Sequence, residues 1–110
     1  MATKEGTKEL ADWDKVFRAL SHESRRRVLT VVNARGGSMT AGEIARRFSC
    51  AWATTTRHLG VLRDAGLLVQ ERQGREIIYR LDRERLAGVV SSWLHWFQIE
   101  ENKKLEGEGK

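Results

Sequence analysis

Two placements of arginine carry the chemistry that this chain can do. Arg57 follows Thr56 inside the run Trp52-Ala53-Thr54-Thr55-Thr56-Arg57-His58, and Arg72 and Arg75 flank Gly74. A guanidinium is a planar fork of N–H donors. It can grip a phosphate, or the paired acceptors of a guanine edge, through two parallel hydrogen bonds; the guanine contact is worth about 1–3 kcal/mol of discrimination between bases. Thr56 adds a hydroxyl for a base or phosphate and a methyl that suits a thymine methyl. Arg72 and Arg75 suit phosphates or a narrow minor groove, whose geometry attracts arginine. The chemistry on offer is polyanion binding.

Those side chains must be held by regular elements, and the spacing of apolar residues supplies them. Trp13, Val16, Phe17 and Leu20 recur at helical spacing, so a first helix follows Asp12 as its N-cap. Ser21 is expected to cap a second helix with Val28, Leu29, Val31 and Val32 inward, ending near Arg35 where Gly36-Gly37 permits the positive-φ exit. Thr40-Ala41-Gly42-Glu43 has the pattern of a capping box and opens a short third helix to about Phe48. Thr40 could also offer a phosphate its hydroxyl and the helix N-terminus.

A fourth helix runs from about Trp52 to Ala65 and stops at Gly66. At about 100° per residue, Thr55, Leu59 and Leu62 share one face, while Ala53, Thr56, Arg57 and Gly60 share the opposite one. That outward face is small, polar and basic, whereas ordinary solvated helix surfaces favour Glu, Lys and Gln. His58 lies at the edge of the core face, suited either to a DNA contact or to a buried role. Trp52, Ala53 and Thr54 begin the helix on its candidate contact side. Leu67–Arg72 and Glu76–Leu81 alternate as strands joined by a tight turn at Gln73-Gly74, with Gly expected at the second central position. A short helix, a turn, a second helix and a basic hairpin in that order read as a winged helix-turn-helix. The fold class is mainly α with a small antiparallel β-hairpin.

The fifth helix starts after Asp82 and runs to about Glu100. Leu86, Val89, Val90, Trp93, Leu94, Trp96 and Phe97 cover more of its circumference than the roughly 100° stripe that one core requires. Such a helix buries itself twice, once on its own core and once on a second subunit. Trp13, Val16, Phe17, Val89, Val90, Trp93, Trp96 and Phe97 are therefore the candidate dimer contacts. Polar ends at 1–9 and 102–110 are expected to be disordered tails around a domain at 10–101.

Composition agrees with a single small domain of 110 residues with a net charge of +5. Between Arg46 and Arg80 seven arginines face only Asp64, Glu71 and Glu76, so the basic excess falls on the hairpin and its neighbouring helices. One cysteine, Cys50, excludes an intramolecular disulfide and a Cys-pair metal framework. It is either inert packing or a thiol switch at the turn before the fourth helix. No apolar run approaches the roughly 18 residues of a membrane span, and Met1–Glu9 lacks the apolar core of a signal peptide, so a cytoplasmic protein is expected. Arg25-Arg26-Arg27 is a charge run of the kind that is solvated or bonded within a fold, and it stays outside the candidate site. Ser21, His22 and Glu23 are adjacent at a helix start and cannot converge as a triad, and no enzyme motif is present.

Leu20-Ser21-His22-Glu23-Ser24-Arg25-Arg26-Arg27-Val28-Leu29, Thr56-Arg57-His58-Leu59, Ala65-Gly66-Leu67-Leu68, Gly74-Arg75 and Tyr79-Arg80-Leu81 together resemble the ArsR/SmtB family of transcriptional repressors. The resemblance covers about Val16 to Phe97, and the ending, Leu81-Asp82 with Leu86 and Trp93-Leu94, looks most like the metal-independent, SdpR-like branch. It implies a homodimer through the first and fifth helices, a recognition role for the fourth helix, and a wing at the hairpin. It further implies an inverted-repeat operator in duplex DNA, with the two recognition helices in major grooves roughly 34 Å apart. Metal-sensing members carry Cys-x-Cys where this chain has Thr40 and Gly42, and His95 lacks the spaced partners of the other known metal site. No metal or cofactor is expected. The family's usual Ser or Thr cap and following polar residue at the recognition helix are replaced by Ala51 and Trp52. Two other readings stand beside a DNA-binding repressor. One is a winged helix that docks proteins; the other is a regulator responding to a redox or ligand signal through Cys50 or the dimer interface.

Overall fold

Two glycine corners determine how the helices of this chain hand over to its sheet. The computed structural model describes the backbone of residues 4–48 and 51–108, and the side chains of 10–48 and 51–97. Five helices, α1 (Lys4–Leu20), α2 (Glu23–Ala34), α3 (Ala41–Arg47), α4 (Trp52–Asp64) and α5 (Arg83–Glu108), surround three strands, β1 (Ser38–Thr40), β2 (Leu68–Gln73) and β3 (Glu76–Leu81). At the end of α2 the Gly36 and Gly37 amides donate to the carbonyls of Asn33 and Val32, and at the end of α4 Gly66 and Leu67 donate to Arg63 and Leu62. Both are 6→1 and 5→2 pairs that need a left-handed residue, supplied by Gly36 at φ 91° and Gly66 at φ 78°. The sheet is anchored to the same corners, since Leu81 donates to the Gly37 carbonyl and Asp82 to that of Leu67.

The core is one cluster drawn from every helix and strand, with Val16, Val32, Ile44, Leu59, Leu62, Leu67 and Leu68 fully enclosed. The expected inner faces of α2 and α4 are the buried ones, with Val31 only half-buried. The capping box at Thr40 is formed: the Glu43 amide donates to Thr40 Oγ1 at 3.1 Å and the Thr40 amide to Glu43 Oε1 at 3.2 Å. These bonds hold the Glu43 carboxyl below its ordinary range, with smaller help from Arg35 and Arg46.

Several local expectations are corrected. Asp12 lies inside α1 rather than capping it, because Thr7–Ala11 just before it hold neither Gly nor Pro and its carboxylate finds Arg85 of α5 at 3.8 Å. His22, not Ser21, caps α2; its Nδ1 accepts from the Ser24 amide, while the Ser21 hydroxyl turns back to the Arg18 carbonyl. A third strand, β1, pairs antiparallel with β3 through Met39 opposite Tyr79, giving the order β1-β3-β2. Three residues are too few to show alternation, and this strand exists because β3 offers it an open edge. At the hairpin Gln73 pairs with Glu76, so Gly74 and Arg75 are the central residues and Gly74, at φ 63°, is the first. Positive φ at the first position alone is the type II′ pattern, which fits the strand twist as well as the expected one does. Helix α5 runs past Glu100 to Glu108. The expected tails concern ends whose side chains lie outside the described residues.

Substituting Thr40→Ala removes one half of the capping box, so denaturant unfolding at neutral pH should show a loss of about 0.5–2 kcal/mol. Because the folded state depresses the Glu43 pKa, its contribution is present above the ordinary carboxylate value and is lost as the pH falls through the lowered one. The gap between wild type and Thr40→Ala should narrow in acid.

Candidate nucleic-acid interface

Burial of Leu59 and Leu62 orients α4 so that Ala53, Thr56 and Arg57 are exposed, with Thr54 and Gly60 half-buried. Among the described residues Arg57 makes no hydrogen bond or ion pair, so its full donor fork faces solvent. Trp52 is 57% exposed at the start of the helix. The methyl of Ala51, the N-cap, cannot accept a hydrogen bond, so among the described residues no side chain caps that start.

His58 does not join this face. It is buried, with Nδ1 3.3 Å from Arg25 Nη1 and its ring 4.5 Å from that of His22. Burial, followed by the nearby His22, Arg25 and Arg57, holds its pKa below the ordinary histidine value. Of the two roles the sequence leaves open to His58, its burial fits the internal one, because the helix turns that side chain onto α2. Thr40 keeps its capping role, half-buried.

The hairpin presents Arg72, Gly74 and Arg75 exposed at its tip, with Arg72 Nε reaching the Gly74 carbonyl at 3.4 Å. Two other arginines of the basic window are occupied. Arg80 pairs with Glu71 across the strands. Arg63 donates to Gln70 at 2.9 Å and pairs with Asp64, which ties the end of α4 to β2. Arg46 and Arg47 are exposed at the end of α3. Within that window the cations without an ion-pair partner among the described residues lie on α4, α3 and the hairpin tip, which is where a polyanion would be held.

The candidate dimer contacts divide. Val16 and Val89 belong to the chain's own core, at 0% and 7% exposure, so they have no surface to give a partner. Trp13, Phe17 and Val90 are half-buried. Phe17 meets Trp93 edge-on at 5.3 Å, and Trp93 meets Phe97 at 5.0 Å. Trp93, Trp96 and Phe97 remain exposed, the last two at 70% and 64%. Periodicity places the α1 residues on one stripe and the α5 residues on one broad band, and only packing separates the inner from the outer members of each.

Sequence reasoning left out Arg25. Its charge run is expected to be solvated or bonded within the fold, and Arg25 is bonded: its guanidinium donates to the Ala19 and Arg18 carbonyls at 2.8 and 3.1 Å as well as facing His58. Its position in the first turn of α2, just after the end of α1, was the available signal. Arg26 donates to the Leu20 carbonyl, and Arg27 pairs with Glu23. Among the described residues no group of three or more His, Cys, Asp or Glu could hold a metal ion, and no helix is long and apolar enough to cross a membrane. Cys50 lies outside the described residues.

Comparison with known proteins places this geometry among regulators. A family model described as a helix-turn-helix domain matches residues 20–71. The transcriptional repressor SdpR of Bacillus subtilis is 32% identical over 87 residues, covering 79% of this chain and 94% of that protein. The arsenic resistance transcriptional regulator ArsR1 of Pseudomonas putida is 33% identical over 88 residues, covering 74% of this chain and 68% of that protein. Among solved structures, a homodimeric winged helix-turn-helix DNA-binding domain from Mycobacterium bovis superposes with a TM-score of 0.68. It is 20% identical to this chain, with 90% of this chain and 91% of that one covered.

If the hairpin-tip cations are free for a polyanion, the protein should be retained on heparin and elute only at high salt. The double substitution Arg72→Gln, Arg75→Gln should then elute at distinctly lower salt with an unchanged circular dichroism spectrum.

Proposed function

Because the chain belongs to the ArsR family of winged helix-turn-helix transcriptional regulators, we propose that it represses transcription as a homodimer on an inverted-repeat operator, without sensing a metal. Membership of the family makes it a DNA-binding regulator and not an enzyme. In this reading α4 is the recognition helix and the β2–β3 hairpin the wing, within a working domain at 10–101. The observation that carries it is the outward face of α4: an uncommitted Arg57 beside Thr56, with Ala53 and Gly60 small enough to let the helix backbone approach a base edge. Phosphate contacts from Arg72 and Arg75 would position the domain, while Arg57 reads sequence. A protein-docking winged helix would favour an acidic or apolar face here, and this one is neither.

The exposed Trp93, Trp96 and Phe97 support the dimer. Three aromatics within five residues of one helix form an apolar patch that a soluble monomer rarely leaves uncovered, and a two-fold contact would let each copy cover the other's. The absence of the Cys-x-Cys pair, with Thr40 and Gly42 in its place, supports regulation without metal of that kind.

Selection from a random duplex pool should yield a two-fold symmetric site. Arg57→Ala should erase about 1–3 kcal/mol of discrimination between that site and a scrambled duplex. Arg75→Ala should weaken both alike and reduce the slope of log affinity against log salt by about 1. Unchanged binding in both variants would remove α4 and the wing from the interface.

Trp96→Glu places a charge in the proposed subunit contact, and sedimentation should report a monomer. Operator affinity should then fall by about 100-fold or more, because two half-sites are no longer engaged together. A stable Trp96→Glu dimer would move the interface elsewhere.

A further inference from the structure

We infer that Arg25 is a positioning residue for the recognition helix: its guanidinium clamps the carbonyl end of α1 to the ring of His58 on the inner face of α4. The inference rests on α4 being the helix that reads DNA. The last carbonyls of any helix lack intrahelical partners, and Arg25 Nε and Nη2 satisfy two of them, on Ala19 and Arg18, at 2.8 and 3.1 Å. Its remaining arm, Nη1, lies 3.3 Å from His58 Nδ1. A guanidinium only donates, so that nitrogen must be the acceptor and the ring proton must sit on Nε2. The bond therefore exists only while His58 is neutral.

Little else holds this side of α4 by polar contact. Among the described residues, the side-chain hydrogen bonds from α4 to other elements are Arg25–His58 at the middle of the helix and Arg63–Gln70 near its end. Thr55, one turn before His58, has a buried hydroxyl oxygen without a partner among the described residues. It borders a small cavity of about 10 Å³ with Ser24, Val28, Phe48 and His58. The inner face is thus incompletely satisfied, and the guanidinium is its anchor near the reading residues. Arg57 is the preceding residue of the same helix, so a shift of His58 moves Arg57 with it.

The groups that face His58 are His22 at the α1–α2 corner, Arg25 of α2 and Arg57 of its own helix. No carboxylate of the described residues bonds to it. Protonation would remove the acceptor and set two cations against each other, and burial opposes it further. Neutral His58 is the state in which α4 is clamped. As the pH falls through a value below the ordinary histidine pKa, the clamp opens, and the end of α1, part of the proposed subunit contact, loses its link to the reading helix.

The test compares the full-length wild type, His58→Asn and Arg25→Lys. The Asn oxygen can occupy the place of Nδ1 and does not titrate, whereas a Lys ammonium keeps the charge without the three-way fork. Affinities for the selected operator and a scrambled duplex would be measured from about pH 8 to 4.5, across and well below the ordinary histidine value. In parallel, hydrogen-exchange protection factors of α4 amides would be recorded on DNA-free protein. The wild-type operator preference should fall by about tenfold or more on acidification, as expected for loss of a charge-assisted hydrogen bond. His58→Asn should keep its preference at every pH. Arg25→Lys should show low preference throughout with scrambled-duplex affinity intact.

Identical pH profiles in wild type and His58→Asn, or wild-type preference in Arg25→Lys, would overturn the inference. Should Arg25→Lys fail to fold, the His58→Asn profile still decides. A wild type that prefers no duplex would instead refute the DNA reading. The clamp itself would then stand or fall on whether α4 protection drops in acid for wild type and not for His58→Asn.

Discussion

Leu59 and Leu62 are enclosed in the same apolar cluster as Val16, Val32 and Ile44, and this burial decides which side of α4 meets water. A helix has one rotation about its axis. Once two leucines are committed inward, Arg57 and Thr56 have no freedom but to face outward, and His58 none but to turn toward α2. The site is a consequence of the core, since the same burial that stabilises the domain aims its cations. At the proposed reading surface nothing further is needed from the backbone than a small outward stripe, which Ala53 and Gly60 provide.

The polar organisation follows from helix ends. α1, α2 and α4 each leave unsatisfied carbonyls where they stop. At the ends of α2 and α4 the following glycines fold the chain back to bond them, and those corners then receive the sheet through Leu81 and Asp82. No glycine follows α1, and side chains serve instead: Ser21, Arg25 and Arg26 all bond its last carbonyls. The charge run Arg25–Arg27 is therefore bonded within the fold, whereas Arg46, Arg47 and Arg57 of the basic window make no side-chain bond among the described residues. Counting charge by sequence window overstates the free cations, because Arg63 and Arg80 are also paired.

Much of this was legible in the residues. The five helices, the glycine exits, the capping box at Thr40-Glu43 and the inner faces of α2 and α4 each rest on local rules spanning a few residues, and such rules act before any tertiary contact forms. Strand β1 was not legible, because a three-residue strand is created by its neighbour and not by its own pattern. The cap at His22 and the turn centred on Gly74-Arg75 were missed for a related reason. Adjacent candidates of similar propensity compete there, and the register of the surrounding elements chooses between them.

By itself, the amino-acid order determined that this protein has an amphipathic α4 with a small cationic outer stripe, a basic hairpin and an over-apolar last helix, since periodicity depends only on residue spacing. Only the tertiary structure decided how the members of each stripe are used. It put Val16 and Val89 in the chain's own core while leaving Trp96 and Phe97 outside, and it withdrew His58 from the surface to meet Arg25 thirty-three positions away. The physical reason is distance along the chain: a helical rule reaches across one or two turns, whereas a guanidinium that joins three helices is specified only when all three have packed.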